Sequence, residues 1–180
     1  MHDVPVIGLH GRARAGKDTV ANFILAHRGG YIYSFADPIR KMLIPLGIDM
    51  NDPYWQARKE QVIPALGASP RRLMQTLGTE WGRQLINPDL WLILAKQLLL
   101  NYGPGMVVAD VRFENEAAWV REQGGRVIHI ERPDNVAVEA HASEAGIVFK
   151  GEEGDIKIVN GGSLEDLQQT IRGVFDVSKT

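Results

Sequence analysis

Short apolar runs, rather than alternating ones, dominate the hydrophobic pattern of this chain. Five of them predict strands, and they lie at residues 4–9, 31–34, 106–110, 127–131 and 155–160. Strands that are apolar on both faces are typical of a parallel sheet with helices packed on each side. The pattern therefore predicts an α/β fold with five parallel strands.

Helical periodicity fills the segments between these strands. A helix is expected after the first strand, where Val20, Phe23 and Ile24 recur at helical spacing, and another is expected to begin near Glu114. The last helix has the clearest start, because Ser163 can cap it and Asp166 follows three residues later.

A long insertion at residues 37–104 separates the second and third strands and is predicted to be wholly helical. Its segment 49–67 is polar and interrupted by two prolines, which predicts a mobile flap. A later helix, opened by Asn87 and Pro88, is apolar nearly all round and is predicted to be buried.

The helix that begins at Ser69 and Pro70 has two distinct faces on a helical wheel. The apolar face carries Leu73, Met74, Leu77, Trp81 and Leu85. The polar face carries Arg72, Thr76, Thr79 and Arg83. The apolar face is expected to pack in the core, as are Trp91 and Trp119.

Composition narrows the class of protein. The chain has 180 residues and is 44% apolar, enough for one core, so we expect one domain over residues 1–180 with the insertion as a lobe. The net charge of −2 gives no basic field for nucleic acid, and no apolar run is long enough to cross a membrane. With no cysteine and no targeting segment, a soluble cytoplasmic protein is expected.

The first turn of the chain carries the strongest chemical signal. In "GRARAGKDT", residues 11–19, Gly11, Gly16 and Lys17 match the phosphate-binding loop G-x-x-x-x-G-K-[ST]. Its backbone N–H groups and the helix dipole attract phosphate, and Arg14 and Ala15 are assigned to nucleotide binding with the loop. The alternative is a glycine-rich turn with a surface lysine.

The motif departs from its pattern after the lysine. Asp18 occupies the position of the magnesium-binding hydroxyl, and Thr19 supplies a hydroxyl one residue later. Whether Thr19, Asp18 or a water molecule contacts the metal is left open by the sequence.

Charged residues also follow the other predicted strands, where ligands of open α/β sheets bind. Asp110 ends the third strand, a position near the metal in phosphate-loop proteins, and Arg112 is expected to contact phosphates. Alternatively, these two residues pair with each other or cap the helix that follows.

Four blocks together resemble a known family. "GRARAGKDT", "FADPIRK", "LGTEWGRQLINPDLW" and "DVRFENEA", in this order, resemble the deoxynucleoside monophosphate kinases of bacteriophages over residues 6–145. The resemblance implies the strand order 2-3-1-4-5, ATP with Mg²⁺ as phosphate donor, and a deoxynucleoside monophosphate (dNMP) as acceptor. It also implies that Arg132 lies near the adenine and that the protein works in the host cytoplasm.

The acceptor phosphate is expected to bind guanidinium groups, because arginine forms bidentate hydrogen bonds with phosphate. Arg72 and Arg83, with Arg71 beside them, are the candidates, and Arg72 is also assigned a catalytic role. Further candidate substrate residues are Phe35, Asp37, Arg40, Thr76 and Trp81. The alternative is an ordinary solvated helix face, and for Trp81 a place in the core.

Asp37 distinguishes two kinds of acceptor. A nucleotide phosphate has a second pKa of about 6 and needs no base, whereas an alcohol acceptor needs one. Asp37 is therefore optional in the first case and essential in the second, and a helix cap ahead of Pro38 is an equal alternative. Phe35, Tyr54 and Trp55 are candidates for base stacking.

Three histidines are assigned lesser roles. His10 and His129 are expected to be structural, and His141 belongs either to a lid or to a surface loop.

The sequence thus predicts a kinase that transfers the γ-phosphate of ATP to a dNMP, with these small molecules as its partners. Two alternatives stay open: a kinase with a hydroxyl acceptor, similar to dephospho-coenzyme A kinase, and a nucleotide-binding module without catalysis. A homodimer is also left open.

Overall fold

A computed structural model describes residues 6–133 and 146–176 of the chain. It contains a sheet of five strands, which are β1 (Ile7–His10), β2 (Tyr31–Tyr33), β3 (Met106–Val108), β4 (Arg126–Glu131) and β5 (Ile156–Val159). Their order is β2-β3-β1-β4-β5, and every neighbouring pair is parallel. The predicted sheet and its strand order are confirmed.

The α-helices are α1 (Lys17–Arg28), α2 (Ala36–Leu43), α3 (Pro53–Ala57), α4 (Pro70–Gln75), α5 (Leu90–Tyr102), α6 (Glu114–Glu122) and α7 (Leu164–Asp176). A π-helix, Thr76–Ile86, continues α4 without a break, and 3₁₀ turns lie at Ile44–Leu46 and Gly151–Glu153. The predicted starts of α6 and α7 are confirmed, and Asp166 and Ser163 exchange the expected capping bonds.

The chain divides into two compact units. One contains Met1–Ser34 and Leu99–Thr180, and the other contains Phe35–Leu98. The second unit nearly coincides with the predicted insertion at residues 37–104, whose role as an acceptor lobe stays a prediction.

The sheet of the first unit is covered on both faces. On one face, Leu9, Ile128 and Ile158 are buried with residues of α1 and α7. On the other, a Cβ placed on Gly8 would lie 2.9 Å from Val111 and 3.3 Å from Val120 of α6, so this helix packs directly on the strand backbone. Each fully buried aliphatic side chain contributes about 1.5–3 kcal/mol to folding. This burial explains why the strands lack a polar face.

The second unit contains a change of helix type that the sequence does not predict, because the α-helix becomes a π-helix at Thr76. Here the N–H of residue i+5 donates to the carbonyl of residue i, as the Asn87 N–H does to the Gly82 carbonyl. These bonds widen each turn, so a helical wheel drawn for an α-helix places the side chains of this segment on the wrong faces. Leu85 is 76% exposed and Trp81 is 37% exposed. The predicted core positions of these two residues are therefore wrong.

Glycine, not leucine, forms the buried face of the π-helix. Trp91 Nε1 donates a 2.8 Å hydrogen bond to the Gly78 carbonyl, and a Cβ on Gly82 would lie 2.5 Å from the Trp91 ring. The indole thus occupies the space that two glycines leave. The predicted burial of Trp91 and Trp119 is confirmed.

Three other predictions for the insertion need correction. α5 buries Trp91, Leu92 and Ala95 but exposes Ile93 and Leu100, so it is not buried all round. The insertion is not wholly helical, since residues 63 and 68 form an antiparallel bridge. α2 begins at Ala36, which places Asp37 in the first turn, so its alternative as the helix cap is wrong.

In the described ranges, no helix is both long and apolar enough to cross a membrane.

Candidate functional site

The phosphate loop connects β1 to α1 and has the backbone geometry that its glycines permit. Gly11, Arg14 and Gly16 adopt φ angles of 153°, 64° and 102°. A Cβ on Gly11 would lie 2.4 Å from the Ile130 carbonyl oxygen of β4. Only glycine allows the loop to approach the neighbouring strand so closely.

Lys17 lies across this loop. Its Nζ donates hydrogen bonds of 2.7 Å to the Gly11 carbonyl and 2.9 Å to the Arg12 carbonyl. The ammonium is thereby held against the same residues whose amides are the candidate phosphate ligands. This arrangement concentrates positive charge at the loop.

The candidate metal ligands lie in the first turn of α1, where Asp18 and Thr19 are both exposed. The described residues contain no cluster of three or more histidine, cysteine or acidic side chains that could hold a metal. Such a cluster is not needed for Mg²⁺, which binds through one or two protein oxygens together with substrate phosphates. Asp18 and Thr19 supply exposed oxygens of the kind that this ion takes, and their role as its ligands stays a prediction.

Asp110 follows β3 and is held by the neighbouring strand. Ser34, which is 7% exposed, donates a 2.7 Å hydrogen bond from Oγ to Asp110 Oδ2. The bond joins the carboxyl ends of β2 and β3, which are adjacent and parallel. Sequence reasoning missed Ser34, because a serine at a strand end carries no distinctive pattern.

The helix after Asp110 is capped by another residue. Glu116, which is 1% exposed, accepts hydrogen bonds from the backbone N–H of Arg112 and of Phe113. The capping role that one alternative gave to Asp110 and Arg112 thus belongs to Glu116. The Arg112 side chain is exposed.

A cavity of about 600 Å³ lies beside the phosphate loop. Gly11, Arg12 and Ala15 of the loop line it together with Arg132, which directly follows β4. His10, His129 and Phe149 complete much of its wall. Arg132 is therefore in the first unit near the loop, as its predicted role requires, whereas His141 lies outside the described residues.

A buried ionic network supports this wall. The Asp155 carboxylate is fully buried and accepts hydrogen bonds from Arg121, from His129 and from the Lys150 backbone N–H. Burial acts to raise the pKa of Asp155, but the hydrogen bonds from Arg121, Lys150 and Val127 outweigh it and hold the pKa below its ordinary value. The network ties the segment before β5 to β4.

Both histidines of the wall favour the neutral form. Burial lowers the pKa of His129 more than its bond to Asp155 raises it, and burial likewise lowers the pKa of His10. Their rings meet edge to face, with centroids 5.2 Å apart. The predicted structural role of His129 is confirmed by its burial, and the structure adds its place in the cavity wall.

The candidate acceptor arginines lie in the second unit. The Arg71 guanidinium pairs with Glu60, and Arg83 donates a 3.1 Å hydrogen bond to the Pro88 carbonyl. Arg72 is the more exposed neighbour of Arg71, with its side chain 63% exposed and Nη1 4.0 Å from Glu80 Oε1. α4, capped by Ser69, presents Arg72.

Glu80 is a residue that sequence reasoning missed. Its Oε2 is shielded from solvent and has no hydrogen-bond partner among the described residues. The Glu80 side chain as a whole is 36% exposed, and its other oxygen, Oε1, is the one that faces Arg72. Its signal in the sequence was hidden, because the α-helical wheel does not describe this segment.

The remaining candidate substrate residues are also in the second unit. Asp37 Oδ1 and Arg40 Nη1 form a 2.6 Å ion pair within α2. Phe35 is buried, Thr76 is exposed, and Trp81 is partly exposed. Tyr54 is exposed, whereas Trp55 packs against a cluster that contains Leu43.

Comparison with known proteins adds independent findings. The family model for deoxynucleotide monophosphate kinase matches residues 57–171, more than half of the chain. The deoxynucleoside-5′-monophosphate kinase of Escherichia phage T5 is 27% identical, with 81% of this chain and 86% of that protein covered. The deoxynucleotide monophosphate kinase of Escherichia phage RB69 is 31% identical, with 86% of this chain and 58% of that protein covered.

Two further matches extend over nearly the whole chain. A protein of Acanthamoeba polyphaga mimivirus is 28% identical, with 95% of this chain and 96% of the relative covered. Among solved structures, a sugar kinase from Janibacter sp. HTCC2649 aligns with a TM-score of 0.53 at 14% identity, over 97% of this chain and 96% of the other. The structural match supports the fold alone.

The lowered pKa of each wall histidine predicts how stability depends on pH. The unfolded chain takes up these protons near pH 6.5, whereas the folded protein resists them, so the free energy of unfolding should fall as pH decreases from about 7 to about 5. His129→Gln keeps an amide donor for Asp155 but does not titrate. Urea unfolding of this variant should show a weaker loss of stability over that range than the wild type.

The matched control is Gln169→Ala, which removes an exposed side chain of α7 without a titratable group and should keep the wild-type pH dependence. Equal pH dependence in the wild type and in His129→Gln would contradict the assignment.

Proposed function

The chain belongs to the deoxynucleotide monophosphate kinase family, and from this premise we propose that it transfers the γ-phosphate of ATP to a dNMP. The products are ADP and the deoxynucleoside diphosphate. The single observation that carries the proposal is the phosphate loop, with Lys17 held across it by the carbonyls of Gly11 and Arg12. The Arg132 cavity beside the loop is the place proposed for the donor base.

Phosphoryl transfer depends on positioning and on positive charge around the transferring group, because its transition state is loose. Lys17 and the loop amides are proposed to stabilise the donor phosphates. Asp18, Thr19 and Asp110 are the residues that would hold Mg²⁺, which neutralises phosphate charge when bound. The bond from Ser34 keeps one Asp110 oxygen oriented for that role.

The acceptor phosphate is proposed to bind Arg72, with Arg71 and Arg83 in support. Arg72 is exposed on α4, and within the described ranges its ion-pair partner is Glu80, at 4.0 Å, so its guanidinium can rearrange around a phosphate. A nucleotide phosphate is largely a dianion at neutral pH and attacks without a base.

A hydroxyl acceptor is the second candidate, and it would need a base such as Asp37. Asp37 Oδ1 is bound to Arg40 within the same helix, so one of its carboxylate oxygens already has a partner. The ion pair is better suited to fixing Arg40 beside the substrate.

The direct test is ADP release in the presence of ATP, Mg²⁺ and a panel of deoxy- and ribonucleoside monophosphates. We expect release to depend on an added deoxynucleotide and Lys17→Ala to lower kcat about 10²–10³-fold, since transition-state charge is no longer stabilised. Lys96→Ala, an exposed lysine of α5, is the control. No ADP release with any monophosphate would favour the non-catalytic or hydroxyl-acceptor alternatives, and release without any monophosphate would indicate ATP hydrolysis; either result would contradict the proposal.

Arg72→Ala separates the two substrates. Loss of the bidentate contact should raise KM for the dNMP about 10-fold or more and leave KM for ATP nearly unchanged. Steady-state kinetics with each substrate varied in turn measures the split, and Arg172→Ala on α7 serves as the control for a lost arginine. Equal changes in both KM values would remove Arg72 from the acceptor site.

Asp37→Asn tests whether a base is needed. Because a phosphate acceptor needs none, we expect kcat within about a factor of three of the wild type, whereas loss of a general base costs about 10²–10⁴-fold. The turnover rate at saturating substrates provides the measurement. A collapse of that size would favour a hydroxyl acceptor instead.

A further inference from the structure

We propose that Asn160 is a positioning residue for the donor triphosphate, because it sets the direction in which the Gly16 N–H points. The inference rests on the proposed binding of ATP at the phosphate loop. Asn160 directly follows β5, 145 residues away from the loop residue that it contacts. Neither the loop motif nor its spacing includes this residue.

Two hydrogen bonds fix Asn160 between β4 and the loop. Its backbone N–H donates to the Glu131 carbonyl at 2.7 Å, which extends the pairing of β4 and β5 by one step. Its side-chain Nδ2 donates to the Ala15 carbonyl at 2.9 Å. The amide orientation follows from this partner, since a carbonyl oxygen only accepts.

The consequence for the loop comes from the planarity of the peptide bond. The Ala15 carbonyl and the Gly16 N–H belong to one trans peptide and therefore point in opposite directions. Once Asn160 binds the carbonyl, the N–H is directed away from Asn160. Gly16 caps α1, and the N–H groups at such a helix start are the natural ligands of a phosphate.

Packing makes this contact specific. A Cβ on Gly16 would lie 2.6 Å from Asn160 Nδ2, so the amide fills the space beside the glycine. Gly16 also has a φ of 102°, a conformation that glycine adopts far more readily than other residues. Gly11 meets the end of β4 in the same way, and thus two neighbouring strand ends shape the loop from one side.

The test compares Asn160→Ala and Asn160→Asp with the wild type, using tripolyphosphate and ATP as probes in calorimetric titrations. Loss of one oriented donor should raise Kd for both probes about tenfold. KM for ATP should rise with it, whereas KM for the dNMP should change less than about twofold, because the acceptor does not use this N–H.

Asn160→Asp provides a second measurement, the pH dependence of probe affinity, which a purely structural role of Asn160 would not change. Its carboxylate is nearly isosteric with the amide but accepts hydrogen bonds only, so it repels the Ala15 carbonyl and should weaken binding more than alanine does. Protonation restores a donor, so its affinity relative to Asn160→Ala should recover as pH falls from about 6 to about 4, toward the ordinary pKa of an aspartate.

Ser163→Ala is the matched control, because it removes the hydroxyl that caps α7 three residues later. It should lower the melting temperature and leave both Kd values unchanged. Wild-type affinity in Asn160→Ala, or equal weakening in Ser163→Ala, would overturn the inference alone. A wild-type protein that binds neither probe would overturn the proposed function, and the inference with it.

Discussion

The close approach of the phosphate loop to the end of β4 is the constraint on which the rest of the structure depends. A side chain at position 11 would collide with the Ile130 carbonyl, so only glycine allows the chain to turn there. The turn leads Lys17 back across the loop and starts α1, whose buried residues Val20 and Ile24 pack on the sheet. One steric requirement thereby connects the anion site with the core.

A second support lies behind the site, in the buried carboxylate of Asp155. A buried charge is tolerated only when its hydrogen bonds are complete, and here Arg121, His129 and backbone N–H groups of Lys150 and Val127 complete them. The network joins α6, β4 and the segment before β5. It supports the cavity wall, whereas burial, and not the network, lowers the pKa of both histidines.

In the segment from α4 through the π-helix, the sequence predicts some residue positions correctly and others wrongly. Arg72 and Thr76 are exposed, as the polar face of the wheel predicts, because they precede or begin the change of helix type. Beyond Thr76, a wheel with 3.6 residues per turn no longer applies, and the interpretation of Trp81 and Leu85 as core residues was wrong for that reason. The packing of Trp91 against Gly78 and Gly82 is a contact between two segments. No local pattern specifies which side chain will occupy the space beside these glycines.

The sequence by itself determined the features that depend on neighbouring residues: the strands, the phosphate loop, the start of α7 and the sheet implied by the family resemblance. Their signals are spacing, capping chemistry and the need for glycine in a tight turn. Tertiary structure decided the partners of Asp110, Asp155 and Ala15, which come from segments distant in the chain. Such partners depend on which strand ends become adjacent in the folded sheet, and that adjacency is a property of packing rather than of local sequence.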